Sequence, residues 1–415
     1  MPKAKYILVG SSHAALEALR AIRHFDPDGS AAMITRDSHP PYSPTILPYV
    51  VSGRSRPESV WLRDEQFFKD NSCSFIRNST VTSLNARNHT IAIDGGDAWN
   101  YEKLLIATGA APIIPSIMGL EPGRFHTLRT LNDAVDIKDC ICAAKKAVVI
   151  GAGLVGLHAA ENFLEAGLDV SIIDQKEHAL YGYISQCAAG YIEDAFKFNG
   201  ANLYFSRNVV EVSEKNDGSF WVVLNDGKAI HTDMILVAAG VRPATDWLAG
   251  SGVQLDRGVL VDETMRTSAP DVWAAGDVAQ AMDFHTGKSA LIGIIPTAVD
   301  QGRIAGQGMA GDAYQKAYPG GIPVNTYRFF GRVALSIGQA AAQDGVEVSE
   351  REEGGYRRVV LSDNRLVGYA SVDEPFDVGI MGELIRRKVD LTSVKDSFIA
   401  RPVETGRRLM SEQWR

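Results

Sequence analysis

A strand, a glycine loop and a helix follow one another twice in this chain. That duplication constrains the fold of its 415 residues more than any other feature. The second copy is the clearer one. Ala147-Val-Val-Ile150 reads as a buried strand, Gly151-Ala-Gly-Leu-Val-Gly156 as the loop, and residues 154–166 as a helix. A Gly-x-Gly-x-x-Gly run between a strand and a helix is the setting in which the motif has meaning. The first glycine permits a tight turn, the second lets the backbone reach a pyrophosphate, and the third lets helix and strand pack closely. Free N–H groups and the helix dipole then favour an anion. Val170-Ser-Ile-Ile173 is the next strand, and Asp174 ends it 23 positions after Gly151. A carboxylate there accepts hydrogen bonds from adenosine ribose hydroxyls and repels a 2′-phosphate, so NAD(H) is expected, with Lys176 nearby as the opposing feature.

The first copy is degenerate. Tyr6-Ile-Leu-Val9 is a strand, Gly10-Ser-Ser-His-Ala-Ala15 opens a helix that runs to about Arg23, and Ala31-Ala-Met-Ile-Thr35 is a second strand. Gly10, Ser12 and Ala15 stand where three glycines would be ideal, and all are small. Asp37 is the expected ribose carboxylate, with Arg36 before it. Strand–helix–strand units of this kind imply parallel sheets. Their repetition at a separation of ~140 residues implies two nucleotide-binding domains. Leu104-Leu-Ile-Ala-Thr-Gly109 and Ile235-Leu-Val-Ala-Ala-Gly240 read as matching strands that close the two units. Asp271-Val-Trp-Ala-Ala-Gly-Asp277 is a further strand, and residues 297–310 read as a helix. From about residue 323 the character changes. Tyr327-Arg-Phe-Phe, Val333-Ala-Leu-Ser-Ile and Tyr356-Arg-Arg-Val-Val-Leu361 are strand-like. Phe376 to Arg387 and the segment after Leu391 look helical, which suggests a separate α+β domain.

The net charge of −8 argues against broad nucleic-acid binding, which needs a dense cationic surface. The four cysteines, Cys73, Cys140, Cys142 and Cys187, fit no zinc or iron–sulfur spacing, so no metal site is expected. The N-terminus runs straight into a strand without a secretory leader, and no stretch approaches the ~20 apolar residues of a membrane span. A cytoplasmic location is expected.

Ala107-Thr-Gly109, Ala274-Ala-Gly-Asp277 and Val241-Arg-Pro243, in order with the two glycine loops, resemble the pyridine-nucleotide flavin oxidoreductases. That family includes ferredoxin, rubredoxin and disulfide reductases, and the resemblance covers essentially the whole chain. It implies an α/β protein with two three-layer Rossmann-like dinucleotide-binding domains and a C-terminal α+β interface domain. The FAD domain would be discontinuous, residues 1–114 and 244–322, with an NAD domain at 115–243 and the interface domain at 323–415. FAD would lie against Gly10, Ser12, His13, Ala14, Ala15, Asp37, Pro44, Thr108, Gly109, Gly276, Asp277, Thr297 and Ala298. NAD(H) would lie against Gly151, Gly153, Leu154, Val155, Asp174 and Gly240. The helix that starts near Pro296-Thr-Ala298 would aim its N-terminus at the flavin pyrimidine carbonyl, where reduced flavin carries negative charge.

The chain departs from the family in two places. Thiol-using members carry redox cysteines near Tyr42-Ser-Pro-Thr-Ile-Leu-Pro-Tyr49, and this segment has none. A disulfide reductase or sulfenate oxidase therefore lacks its sulfur. The Lys–Glu pair usual beside flavin and nicotinamide is also missing; His158 occupies the helix position, either facing the nicotinamide–flavin gap or serving as a plain polar helix residue. Hydride transfer needs no protein acid or base, because the cofactors carry the chemistry and the protein aligns them. The expected function is electron transfer between NAD(H) and an iron–sulfur or ferredoxin-like partner through FAD, in a heteromeric complex or as a homodimer. Gly10-Ser-Ser-His-Ala-Ala-Leu-Glu and Pro41 to Val50 resemble flavoprotein subunits of multisubunit 2-oxoacid dehydrogenases. The alternatives are a stand-alone NADH:rubredoxin or ferredoxin reductase, an NADH oxidase, and a non-catalytic flavin scaffold. Arg401, Arg407, Arg408 and Arg415, against Glu404 and Glu412, give a basic tail that either docks an acidic partner or is a solvated end helix.

Overall fold

The computed structural model describes residues 2–352 and 354–413. Packing groups the chain into two compact units. The first comprises the residues up to Ile113, Arg129–Val135 and Val241–Gly321; the second comprises Ile114–Leu128, Asp136–Gly240 and the chain from Ile322 onward.

The first unit is built on a sheet whose parallel core runs Cys73–Ile76, Ala31–Ile34, Lys3–Val9, Ala98–Ile106 and Val272–Ala274. Ala98–Ile106 pairs with Lys3–Val9 along one edge and is long enough to serve two neighbours on the other. Its first half pairs antiparallel with Thr90–Ile93, and its last three residues pair with Val272–Ala274. Side chains alternate across a strand. Tyr6, Leu8, Met33 and Leu105 therefore point to one face, under the helices His13–Phe25 and Ile295–Ala310. Ile7, Val9, Ile34, Leu104 and Ile106 point to the other, where Val81, Leu84, Ile91 and Leu248 cover them. Strands buried on both faces explain the unbroken apolar runs in the sequence.

The two helices on the first face lie unusually close. A Cβ on Gly302 would sit 2.2 Å from Ala14 O, and one on Gly306 would sit 2.4 Å from Ala18 O. Glycine at both turns lets backbone touch backbone.

The second unit repeats the parallel plan with four strands, Asn202–Phe205, Asp169–Asp174, Lys146–Ile150 and Met234–Val237. Leu154–Glu165 is its glycine-loop helix, and a three-stranded antiparallel sheet, Val209–Glu214, Phe220–Leu224 and Ala229–Thr232, packs alongside. The C-terminal part of this unit is a five-stranded antiparallel sheet in the order Val324–Phe329, Arg332–Gly338, Arg365–Val372, Tyr356–Ser362, Glu347–Arg351. Helices Val378–Arg386, Lys395–Ala400 and Pro402–Gln413 follow it. Polar anchors join this sheet to the nucleotide-type half of the same unit. The buried carboxylate of Glu161 accepts from Phe330 N–H at 2.6 Å, and Ser185 Oγ shares a hydrogen bond with Tyr356 Oη at 2.6 Å. Arg415 of the tail lies outside the described residues; Arg401 pairs with Glu404 and Arg407 with Asp377. No helix among the described residues is long and apolar enough to cross a membrane.

Gly302→Ala should cost ~1–3 kcal/mol, because the added methyl must push two packed helices apart. Gly190→Ala, inside the helix Gln186–Phe198 with nothing within 4 Å of the added carbon, should be neutral or stabilise by ~0.5–1 kcal/mol. Chemical denaturation of both variants checks the contrast.

Candidate functional site

The two glycine loops are made the same way. Gly10 has φ +114°, and a Cβ there would lie 2.1 Å from Ala107 O; Gly151 has φ +117°, and a Cβ there would lie 2.2 Å from Ala238 O. Each loop thus presses against the carbonyl at the end of a neighbouring strand. Gly10 N–H donates to Ile34 O and Gly151 N–H to Ile173 O, both at 2.8 Å. The glycines that follow the two carbonyls, Gly109 and Gly240, also match, with φ +67° and +108°.

Around the first loop the structure gathers most of the residues expected there. A Cβ on Gly276 would meet Ala14 Cβ at 3.2 Å and Ala298 Cβ at 3.7 Å, so these three form a floor without bulk. Gly276 N–H donates to Gln301 Oε1 at 2.8 Å, and Gln301 is buried. Thr108 Oγ1 donates to Ala244 O at 2.9 Å, beside the short ladder of Ala110–Pro112 with Val241–Pro243. Ala15 and Thr297 are buried, and Ser12 is half-buried. Pro44 begins the turn Pro44–Ile46, and Ser43 before it hydrogen-bonds His13 Nε2 at 3.0 Å.

Asp37 lies elsewhere than the strand end. The paired bonds of Gly10 to Ile34 and Gly151 to Ile173 place Thr35 opposite Asp174. Asp37 is two residues further on, where its carboxylate accepts from Tyr42 Oη at 2.6 Å and from His39 N–H at 3.0 Å. Tyr42 Oη in turn accepts from Leu131 N–H at 2.9 Å.

In the second unit Gly153 differs from its neighbours. A Cβ on Gly156 would lie 2.0 Å from Gly151 O, whereas a Cβ on Gly153 would meet nothing within 4 Å. Gly156 is needed for packing, and Gly153 faces free space. Leu154 is half-buried and Val155 exposed at the helix start. Asp174 Oδ2 accepts from Ala152 N–H at 2.7 Å and Oδ1 from Lys176 N–H at 2.8 Å, so the carboxylate is held at the loop. His158 turns towards the C-terminal sheet. Its ring stands edge-on to Tyr327, 4.7 Å between centroids, and Nδ1 is 2.9 Å from Leu154 O. Burial holds its imidazole below the usual pKa.

The helix ends tell whether a dinucleotide fits. His13–Phe25, Leu154–Glu165 and Ile295–Ala310 have no side-chain cap on their first N–H groups. Gln186–Phe198 and Val378–Arg386 are capped, by Ser185 and Asp377. The first N–H groups of a helix have no partner within it and are met by a side chain, water or a ligand. These three helices begin at the two glycine loops and at Pro296-Thr297-Ala298, where an anionic cofactor would be cradled; the short helices Leu47–Val51 and Lys395–Ala400 lack side-chain caps as well. The residues present therefore fit FAD at the first loop and a nicotinamide nucleotide at the second.

Sequence reading missed Arg129. Its guanidinium donates to Ala110 O at 3.0 Å and to Asp277 Oδ2 at 3.2 Å, which fixes Asp277 beside Gly276. Only the fold brings Arg129 to Asp277, 148 positions away. Gln301 was equally silent within its Ala-rich helix.

Two glycine-loop units with these helix ends define a flavoprotein oxidoreductase that also takes a nicotinamide nucleotide. A family model described as pyridine nucleotide-disulphide oxidoreductase matches residues 4–302. The chain belongs to that family and is an FAD-dependent NAD(H) oxidoreductase with a role in electron transfer. It is 45% identical over 415 residues to the NADH-dependent phenylglyoxylate dehydrogenase subunit epsilon of Aromatoleum evansii, covering 99% of this chain and 98% of that one. It is 25% identical over 306 residues to a rubredoxin-NAD(+) reductase of Pseudomonas putida, covering 74% and 80%. Among solved structures, the ferredoxin reductase for the CYP199A2 system from Rhodopseudomonas palustris superposes with a TM-score of 0.81 at 25% identity, over 89% of this chain and 91% of that one.

Gly153→Ala should leave thermal stability almost unchanged while weakening NADH binding, whereas Gly156→Ala should lower stability itself. A melting curve and an NADH titration on each variant separate the two roles.

Proposed function

We propose that this chain carries electrons between NAD(H) and an iron–sulfur partner, as the NAD-reducing subunit of a 2-oxoacid dehydrogenase complex that acts on phenylglyoxylate. The observation that carries this reading is the end-to-end likeness to the epsilon subunit of such an enzyme. Residues 42–49 add to it: with Pro44 and no cysteine there, electrons have no thiol to stop on and must leave for an external acceptor. The 2-oxoacid chemistry would belong to other subunits.

In this reading the bound cofactors supply hydride and single-electron transfer, and the chain positions them. Gly10, Ser12, His13, Ala14 and Ala15 hold the FAD pyrophosphate at the first helix end, where the dipole favours its charge. Gly276, Thr297 and Ala298 leave room for the flavin, Thr108 and Gly109 shape the adjoining strand end, and Arg129 fixes Asp277 towards the ribityl chain. Gly151, Gly153, Leu154 and Val155 hold the NAD(H) pyrophosphate, Asp174 takes the adenosine ribose, and Gly240 keeps the neighbouring backbone clear. Residues 323–415 form the interface domain for the partner.

A stand-alone rubredoxin or ferredoxin reductase is the second reading, favoured by the likeness to the Pseudomonas enzyme. Native pull-down from the source cell, with iron and flavin analysis, decides between them: an iron–sulfur complex retained with the chain supports the first, and a flavin-only chain turning over rubredoxin supports the second. Under either reading NADH must bleach the flavin in stopped flow, and a flavin left oxidised by NADH overturns both. Asp174→Ala should raise the NADH Michaelis constant at least tenfold, for ~1.5–3 kcal/mol of lost charged hydrogen bonding, with FAD content unchanged. Loss of FAD instead would reverse the assignment of the two loops.

A further inference from the structure

His13 is the first residue of the helix at the first glycine loop, and its ring is half-buried. Nε2 lies 3.0 Å from Ser43 Oγ, and Ser43 Oγ lies 2.8 Å from Thr45 Oγ1. Thr45 is exposed to solvent. An imidazole and two hydroxyls thus form an unbroken hydrogen-bonded line from the glycine loop to water. The line runs through the cysteine-free segment 42–49. The charged groups that act on His13 are Asp277, which favours the imidazolium, and Arg63, which opposes it. Asp277 is itself tied to Arg129. Burial outweighs both and holds the imidazole below its usual pKa.

We propose that His13, Ser43 and Thr45 form a proton relay that ties the charge of the flavin to proton uptake from solvent. The proposal rests on reading the Gly10 loop as the flavin site. In the neutral ring Nε2 accepts from Ser43 Oγ, which accepts from Thr45 Oγ1. Hydride from NADH brings two electrons and one proton to oxidised flavin and leaves it one unit more negative. His13 adjoins Ala14, whose Cβ forms with Gly276 and Ala298 the floor that this reading gives to the flavin, so a new negative charge there favours the imidazolium. His13 then takes one proton from water, passed through Thr45 and Ser43. When an iron–sulfur acceptor removes the two electrons singly, the flavin proton and the His13 proton both return to water. Over the pH interval between the two pKa values of His13, two protons accompany two electrons. Below the lower value His13 is charged in both states, above the upper value it is neutral in both, and one proton accompanies the pair.

The test is a spectroelectrochemical titration of the flavin-replete protein from about pH 5.5 to 8.5, the range in which histidine titrates. In the unaltered protein the reduction equilibrium should change by a factor of 100 per pH unit across part of that range. In His13→Gln it should change tenfold throughout, a difference of about 29.6 mV per pH unit for a two-electron couple. Ser43→Ala keeps the imidazole and removes its partner, so its steep interval should move to another pH. Equal slopes in the unaltered protein and a flavin-replete His13→Gln overturn the proposal. If His13→Gln does not retain flavin, an unmoved interval in Ser43→Ala overturns it. Gly10→Val protein that still binds FAD one-to-one would instead mean that the flavin lies elsewhere, and the site reading itself fails.

Discussion

Two carbonyl oxygens govern this protein. Ala107 O and Ala238 O each end a buried strand, and each is closer to a loop glycine than any Cβ could come. The contact lets a loop turn sharply off its own strand while staying under the end of the next. It also forces φ to about +115° at Gly10 and Gly151, a region open to glycine and costly for other residues. The direction of each following helix depends on that turn, as does the space over it. A side chain at either glycine would remove the nucleotide cradle before touching any nucleotide.

Because the turns put the helix starts under strand ends, those starts need no caps of their own. A capping serine or aspartate would satisfy the first N–H groups and occupy the place of a phosphate. Side-chain caps stand at Asp64, Ser185 and Asp377 and are lacking at the three helices proposed to cradle dinucleotides, as they are at the short helices Leu47–Val51 and Lys395–Ala400. Leaving N–H groups unmet costs some stability in the empty protein, which cofactor binding then offsets by mass action. In the proposed reading FAD is counted among the elements that stabilise the first unit.

The duplication was legible in the sequence because it rests on local requirements. A glycine at a forced turn, a strand buried on both faces and a carboxylate at a strand end each leave a mark within a few residues. The parallel strands and the equivalence of Ala107-Thr-Gly109 with Ala238-Ala-Gly240 followed from such marks. Asp37 illustrates the limit. The acid expected to meet the ribose, Asp37, stands two residues beyond Thr35, which holds the position matching Asp174, and its carboxylate accepts from Tyr42 and His39 instead of from a glycine-loop N–H. Two residues of offset change the whole environment of a side chain. Arg129 and Gln301 were not legible at all, since their partners are distant in sequence and arginine and glutamine are common in any polar stretch.

His158 shows how tertiary packing sets the side that a helix residue faces, here that of Tyr327. Three residues below it Glu161 is buried, and its carboxylate holds Phe330 N–H at the turn between Val324–Phe329 and Arg332–Gly338. A buried carboxylate is tolerated only with a firm partner, so this bond fixes how the helix faces the C-terminal sheet. Residues three apart share a helix face, and His158 must therefore turn the same way, against Tyr327. The consequence is chemical. In the proposed reading the glycine-loop helix contributes its dipole and its N–H groups at its nucleotide end. In the proposed relay, proton handling falls to His13, the imidazole at the first glycine loop.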